Sequence, residues 1–292
     1  MKITIIGKFK KLYDEEYIAR SFEMLGHEVQ RLDERNMVAY INGMTDEFNP
    51  DIVIWTKLKH PAAKDIREHM RKYKTVCWVF DLYFGYAREY SLTTHPAFTA
   101  DYVITTDGGH QKEFEALGIN HFCVRQGIYK EDLVLLPSTA TDSIVFVGSE
   151  NSLHPNRAMQ IDTINNTYPG KFKWYGRFNS DEMRDQKLNE LYAKTAIVIG
   201  DSVYSPHYWS NRVVETLGRG GFLIHQETEG LKDAYPYLVT YERGNFQDLK
   251  SKIDYYLANP HNRNEIVQKN FEWVRDNYTM EKQCQKLLNF IS

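Results

Sequence analysis

Short apolar runs alternate with helix-patterned stretches along all 292 residues, and this alternation limits the possible architecture more than any other feature of the chain. A strand covered on both faces reads as a continuous Val/Ile run, and parallel neighbours need a crossover helix between them. Such runs fall near residues 2–6, 28–32, 51–55, 75–80, 101–105 and 121–125, and again near 144–147, 172–175, 196–200, 221–225 and 237–240. Helical patterns lie between them near 14–26, 62–72 and 109–117, then near 155–167, 182–193, 211–219 and 245–258, with two more helices in 261–290. The pattern predicts two α/β halves, each built on a doubly wound parallel sheet. Leu25-Gly26-His27-Glu28 and Leu117-Gly118-Ile119 both read as helix ends that turn into strands.

Pro137 and a Ser/Thr/Asp run mark residues 131–143 as a linker, which sets a first domain at 1–130 and starts the second at 144. With 42% hydrophobic and 26% charged residues the composition is that of a folded globular chain. A net charge of −3 exerts no global pull toward nucleic acid or anionic membrane. Local basic clusters exist at Lys8, Lys10 and Lys11 and at Arg67, Arg71, Lys72 and Lys74, so a basic groove is still open. Three separated cysteines, Cys77, Cys123 and Cys284, point to reduced buried thiols. The chain opens on the strand Ile3-Thr-Ile-Ile without a signal-type apolar region, and no run nears the roughly 18 apolar residues of a membrane span. A cytoplasmic protein is expected.

One stretch carries more chemistry than the rest: Ser210-Asn-Arg-Val-Val-Glu215-Thr-Leu-Gly-Arg-Gly-Gly-Phe-Leu-Ile-His225. Ser210 reads as an N-cap, Val213, Val214 and Leu217 as an apolar face, and Gly218, Gly220 and Gly221 as the stop before a buried strand. A helix N-terminus presents free N–H donors, Arg212 adds a fixed cation, and Glu215 one turn deeper can accept hydrogen bonds from hydroxyls. Diphosphate and ribose are a matching pair of ligands.

This segment resembles the Glu-x-x-x-x-Gly-Gly signature of GT-B glycosyltransferases, in particular the "glycosyl transferases group 1" and spore-maturation (CgeB-like) branch. Val145-Phe-Val-Gly148-Ser149, Lys173-Trp-Tyr-Gly176-Arg177 and Ala196-Ile-Val-Ile-Gly200-Asp201-Ser202 resemble that family's donor-domain strands and turns. The resemblance covers residues 144–290 well and the first 140 more loosely. It implies a GT-B fold, with an N-terminal acceptor domain, a donor domain at 144–275 and a final helix, 276–292, crossing back to the first domain. It also implies a nucleoside diphosphate sugar as co-substrate, a UDP-sugar first, with Glu215 on the ribose, no permanently bound cofactor and no metal. Many relatives carry a second glutamate eight positions before the first; here that position is His207.

Residues that follow strands are the expected ligand contacts in such sheets. For the donor these are Gly148, Ser149, Arg157, Tyr175, Arg177, Asp201, Ser202, Tyr204, Ser210, Asn211, Arg212 and Glu215. For catalysis they are Asp81, which closes the run 75–80, and His207, with His95, Asp107 and His110 as rivals to Asp81. Asp107-Gly-Gly-His110 also reads simply as a helix-start turn. The acceptor is a hydroxyl on a glycan, a small molecule or a hydroxymethylated DNA base. Two other readings fit the same residues: a nucleotide-sugar-binding relative without turnover, and a sugar-nucleotide epimerase. The first strand runs into Gly7-Lys-Phe-Lys-Lys and not into Gly-x-Gly-x-x-Gly, which argues against an NAD-type enzyme.

Overall fold

The computed structural model describes residues 1–10, 13–140, 142–149, 157–176 and 183–292, and it divides into two compact units, 1–129 with 280–292, and 130–279. Each unit is an all-parallel α/β sheet with helices on its faces.

The first unit runs β1 (Lys2–Gly7), α1 (Asp14–Met24), β2 (Glu28–Asp33), α2 (Val38–Phe48), β3 (Ile52–Trp55), α3 (Ala63–Met70), β4 (Lys74–Trp78), α4 (Ser91–Thr94), β5 (Tyr102–Thr105), α5 (Gln111–Ala116) and β6 (His121–Cys123). Its strand order is β2-β1-β3-β4-β5-β6, with Ile3 opposite both Val29 and Ile52. Every residue of β3 is buried, as expected of a strand covered on both faces. One face packs Trp55, Ile66, Met70 and Phe98, and the other packs Ile18, Phe22, Ile54 and Trp78.

The second unit runs β7 (Ile144–Val147), α6 (Arg157–Thr167), β8 (Phe172–Tyr175), α7 (Asp185–Ala193), β9 (Ile197–Gly200), α8 (Arg212–Gly218), β10 (Leu223–Gln226), α9 (Leu231–Ala234), β11 (Val239–Tyr241), α10 (Phe246–Ala258) and α11 (Pro260–Asn277), in strand order β11-β10-β9-β7-β8. The chain then ends in α12 (Met280–Ile291), which packs on α1 and places Cys284, Leu287 and Ile291 in the core of the first unit. Phe290 stacks on Phe122, with ring centroids 4.3 Å apart.

Helix α2 is absent from the sequence reading. It buries only Ile41 and Thr45, holds Gly43 in its middle and has no capping side chain at its start, so its apolar stripe is too thin to read. Strand β4 ends at Trp78, two residues short of the run that continues to Phe80. Residues 130–140 form part of the second unit, where Val134 N donates to Gly218 O and Thr139 N to Ala193 O. The basic cluster 67–74 is largely taken up locally. Arg67 donates to Thr99, Lys72 pairs with Asp46, and Lys74 Nζ reaches Ile291 O at 2.6 Å. Among the described residues no helix is long and apolar enough to cross a membrane.

Candidate functional site

Parallel strands β7, β9, β10 and β11 end at one edge of the second sheet, and a carboxylate at that edge organises its surroundings. Asp201 directly follows β9. It accepts Arg157 Nε and Nη2, each at 2.8 Å, and Arg212 Nη1 at 2.9 Å. Arg157 is buried in the first turn of α6, so desolvation pushes its pKa down while the Asp201 carboxylate opposes that shift. Arg212 ties the same carboxylate to β7 by donating Nε to Val147 O at 2.6 Å. Both guanidinium groups lie over the ring of Phe146, at 5.2 and 4.7 Å from its centre. Two cations therefore share one acid, and the cluster carries an excess positive charge.

The turn after β7 is shaped around that cluster. A side chain at Gly148 would collide with Arg212 Nη2, which makes no hydrogen bond among the described residues. Trp174 Nε1 donates to Gly148 O at 2.7 Å, and Arg157 Nη1 donates to Ser149 O. Gly176 turns at φ 94°, where a Cβ would press on Gly148 O. Tyr175 is half-buried at the end of β8 with Lys173 over its ring. Arg177 lies outside the described residues.

Helix α8 starts two residues later than Ser210, which is not its cap. Ser210 N is drawn back to Ser202 Oγ at 2.8 Å, and Asn211, which flanks the helix, makes no side-chain cap bond. Ser202 is itself anchored to the buried His225. The imidazole Nδ1 faces Gln226 O at 2.7 Å and Nε2 faces Ser202 Oγ at 3.1 Å. A carbonyl can only accept, so Nδ1 carries the proton and Nε2 accepts from the serine. Burial brings His225 down to about 4, which keeps it neutral.

Glu215 belongs to a different cluster. Its Oε2 pairs with Arg219 Nε at 2.9 Å, and Arg219 also holds Asp132 at 2.7 Å and Asn189 at 2.6 Å. Burial pushes the Glu215 carboxyl up, and Arg219 opposes the shift. His207 sits at φ 48° and pairs with Glu229 at 3.1 Å.

A cavity of about 480 Å³ opens at the ends of β9, β10 and β11, where Arg157, Asp201, Ser202 and Tyr204 meet Tyr241 and Arg243. Arg243 is a residue the sequence reading missed. It lies two residues after β11 and just before Gly244, close to the post-strand position that singled out Asp201, and Gly244 turns at φ 79°. Its guanidinium lies over the exposed Tyr204 ring, donates to Ser202 O at 3.3 Å, and keeps a buried Nε without a partner. Gln160 donates to Tyr241 and accepts from Gln226, which closes the floor of the cavity.

In the first unit Asp81 lies in the loop after β4, with one oxygen on Lys57 at 2.6 Å and the other on Arg88 at 3.3 Å. Asp107 is fully buried after β5 and orients His110, whose Nδ1 donates to it at 2.9 Å while Phe84 stacks on the imidazole. His95 caps a short turn by accepting from Ala97 N.

Comparison with known proteins gives a family match over part of the chain and one fold. Residues 155–289 match the model of a family described as glycosyl transferase-like. No curated protein matches the chain. HepE from Anabaena, solved in complex with UDP and glucose, superposes with a TM-score of 0.67 at 13% identity over 100% of this chain and 99% of that one. A glycosyltransferase from Rickettsia africae ESF-5 gives 0.66 at 12% identity, covering 99% and 97% of the two chains. Sucrose-phosphate synthase from Thermosynechococcus elongatus gives 0.61 at 11% identity, covering 99% and 98%. The fold is GT-B.

Proposed function

We propose that this chain is a glycosyltransferase that moves a sugar from a nucleoside diphosphate, a UDP-sugar first, to a hydroxyl acceptor. The observation that carries the reading is Arg212. It is fixed by Val147 O and Asp201 at the carboxyl edge of a parallel sheet, with Nη2 uncommitted beside the Gly148 turn and the start of α8. A diphosphate placed there meets an oriented cation, a turn without a side chain and an edge already carrying excess positive charge. The family match over 155–289 and the UDP-bound HepE fold support the same donor. Within the group, the spacing from Glu215 to Gly220-Gly221 favours the spore-maturation (CgeB-like) branch.

Glu215 is the ribose ligand in this reading. Its Oε1 has no partner among the described residues, so it can accept a ribose hydroxyl while Oε2 stays on Arg219. Transfer then breaks the bond from the sugar's anomeric carbon to the diphosphate, which leaves with the electron pair, and forms the bond to the acceptor oxygen. In this reading His110 of the first unit, and not Asp81, is the candidate base for the acceptor proton. Asp107 holds the Nδ1 proton of His110 and leaves Nε2 as the acceptor. Asp81, with an oxygen on each of two cations, orients Lys57 and Arg88.

Calorimetric titration with UDP tests the donor site. Arg212→Met is expected to weaken binding by about 1.5–3 kcal/mol, the range for a hydrogen bond to a charged group, while circular dichroism stays that of the wild type. Unchanged affinity would remove Arg212 from the site. A specific observation keeps a second reading open: His207, in place of the usual glutamate, is committed to Glu229, which suits a nucleotide-sugar-binding protein without turnover. Release of free UDP together with a sugar-bearing acceptor separates the two.

A further inference from the structure

Three arginines of the second unit are buried among the described residues: Arg157, Arg219 and Arg263. The first two have carboxylates, Asp201 for Arg157 and Asp132 with Glu215 for Arg219. Arg263, in the first turn of α11 and only 3% exposed, has none. Its Nη1 donates to Tyr256 O at 3.2 Å, and no acidic side chain reaches it among the described residues. Burial alone pushes its pKa down, with no nearby charge opposing the shift. A buried cation is ordinarily paired or bound to a ligand, because the cost of stripping its water is otherwise uncompensated.

Arg263 lines a cavity of about 350 Å³. Much of the rest of the cavity wall is apolar, with Leu135 and Leu136 from the segment entering the unit, Tyr192 from α7, Phe222 just before β10, and Val267 one turn along α11, while Ser138, Thr195, Asn264 and Gln268 add polar groups. Leu135 is held in place across Gly220, where a Cβ would meet it at 2.6 Å. Phe222 precedes its strand whereas Asp201 follows one, so the cavity sits at the sheet edge opposite the Asp201 cluster. The volume falls within the range of small-molecule sites, at about 300–1,000 Å³.

We propose that this cavity binds a small anion carried on an apolar body, a medium-chain carboxylate being the simplest member of the class. The carboxylate pairs with Arg263, and the hydrocarbon lies against Leu135, Leu136 and Phe222. The site is separate from the donor site and does not depend on the glycosyltransferase reading.

The probe is octanoate below its micellar concentration, followed by calorimetry and thermal unfolding of the full chain, with acetate, inorganic phosphate and 1-octanol as controls. Saturable 1:1 binding of octanoate is expected, with each control far weaker. Arg263→Met should weaken octanoate roughly tenfold to a hundredfold, and its unliganded Tm should match or exceed that of the wild type because an uncompensated charge is gone. Asn264→Trp, which fills the exposed rim and keeps the arginine, should also block octanoate. Equal binding of octanoate to both variants would overturn the proposal, as would no binding to the wild type. Phosphate binding as tightly as octanoate would overturn the apolar component. A fall in the Tm of Arg263→Met without octanoate binding to the wild type would make Arg263 a structural donor to Tyr256. UDP affinity in Arg263→Met should stay at the wild-type value, so a failed donor site and a failed anion site give different results.

Discussion

The second unit contains two buried ion clusters with opposite stoichiometry. At the carboxyl edge of the sheet one acid, Asp201, holds two arginines; at the other end of α8 one arginine, Arg219, holds two acids, Asp132 and Glu215. The first is rich in arginine and the second in carboxylate, with Arg184 a further positive charge acting on Glu215, although they share a seven-residue helix. In the proposed donor site that difference would order a ligand. A diphosphate is drawn to the arginine-rich cluster, and a neutral hydroxyl-bearing ring suits the carboxylate-rich one, because hydroxyls donate well to a carboxylate and carry no charge for it to repel. Under the proposed function, local polarity along a single helix would set the direction in which a nucleoside diphosphate lies.

Removing the central member of a cluster is the strongest way to break this comparison. Arg219→Met leaves Asp132 and Glu215 without their hydrogen-bonded arginine, with only the longer-range charge of Arg184 acting on Glu215, and the loss is expected to be about 3–5 kcal/mol, as for other broken buried pairs. Urea unfolding measures it. A loss under about 1 kcal/mol would mean that the carboxylates find solvent and that the cluster is not buried in solution.

Asp201→Asn should cost less, about 1.5–3 kcal/mol, because asparagine keeps one accepting oxygen and Arg157 keeps Ser149 O. The more informative readout is UDP binding. Arg212 loses its charged partner and with it a fixed direction, so affinity should fall together with stability. In Arg219→Met, by contrast, the arginine beside the Gly148 turn is untouched and UDP binding should change less. If both variants lose UDP equally, the two clusters do not act separately on the ligand.

Much of the fold is legible in the sequence, because strands buried on both faces, such as Ile52–Trp55 and Ile197–Gly200, leave continuous apolar runs that nothing else imitates. Helix α2 leaves no such trace, since just two of its eleven residues are buried. The site is legible as positions but not as partnerships. Gly148, Arg157, Asp201 and Arg212 each stand after a strand or at a helix start, which flags them one by one. That Asp201 joins two arginines 44 residues before it and 11 after it is a long-range fact, decided by the strand order β9-β7. Asp132 and Arg219 were hidden by their surroundings, one in a stretch whose composition reads as linker, the other among glycines that read as a turn. Their pairing depends on residues 130–140 packing on the second unit, which composition does not encode.

The finest test of the comparison is the pH dependence of Glu215. Its folded pKa is raised because burial disfavours the carboxylate more than Arg219 favours it. A group raised in the fold binds its proton more tightly folded than unfolded, so its contribution to stability is complete below the ordinary glutamate value and is lost as pH climbs through the folded value. Wild-type protein should therefore lose stability relative to Glu215→Gln as pH rises through that window, whereas most surface carboxylates paired with cations push the other way. Parallel urea titrations of the two proteins across that window measure the difference directly, and the effect should be the smallest of the three because Arg219 offsets part of the burial. A gap that moves in the wild type's favour with rising pH would show that Arg219 outweighs desolvation. Glu215 would then be a settled ion-pair partner with little reason to turn toward a ribose, and the carboxylate-rich cluster would serve the fold alone.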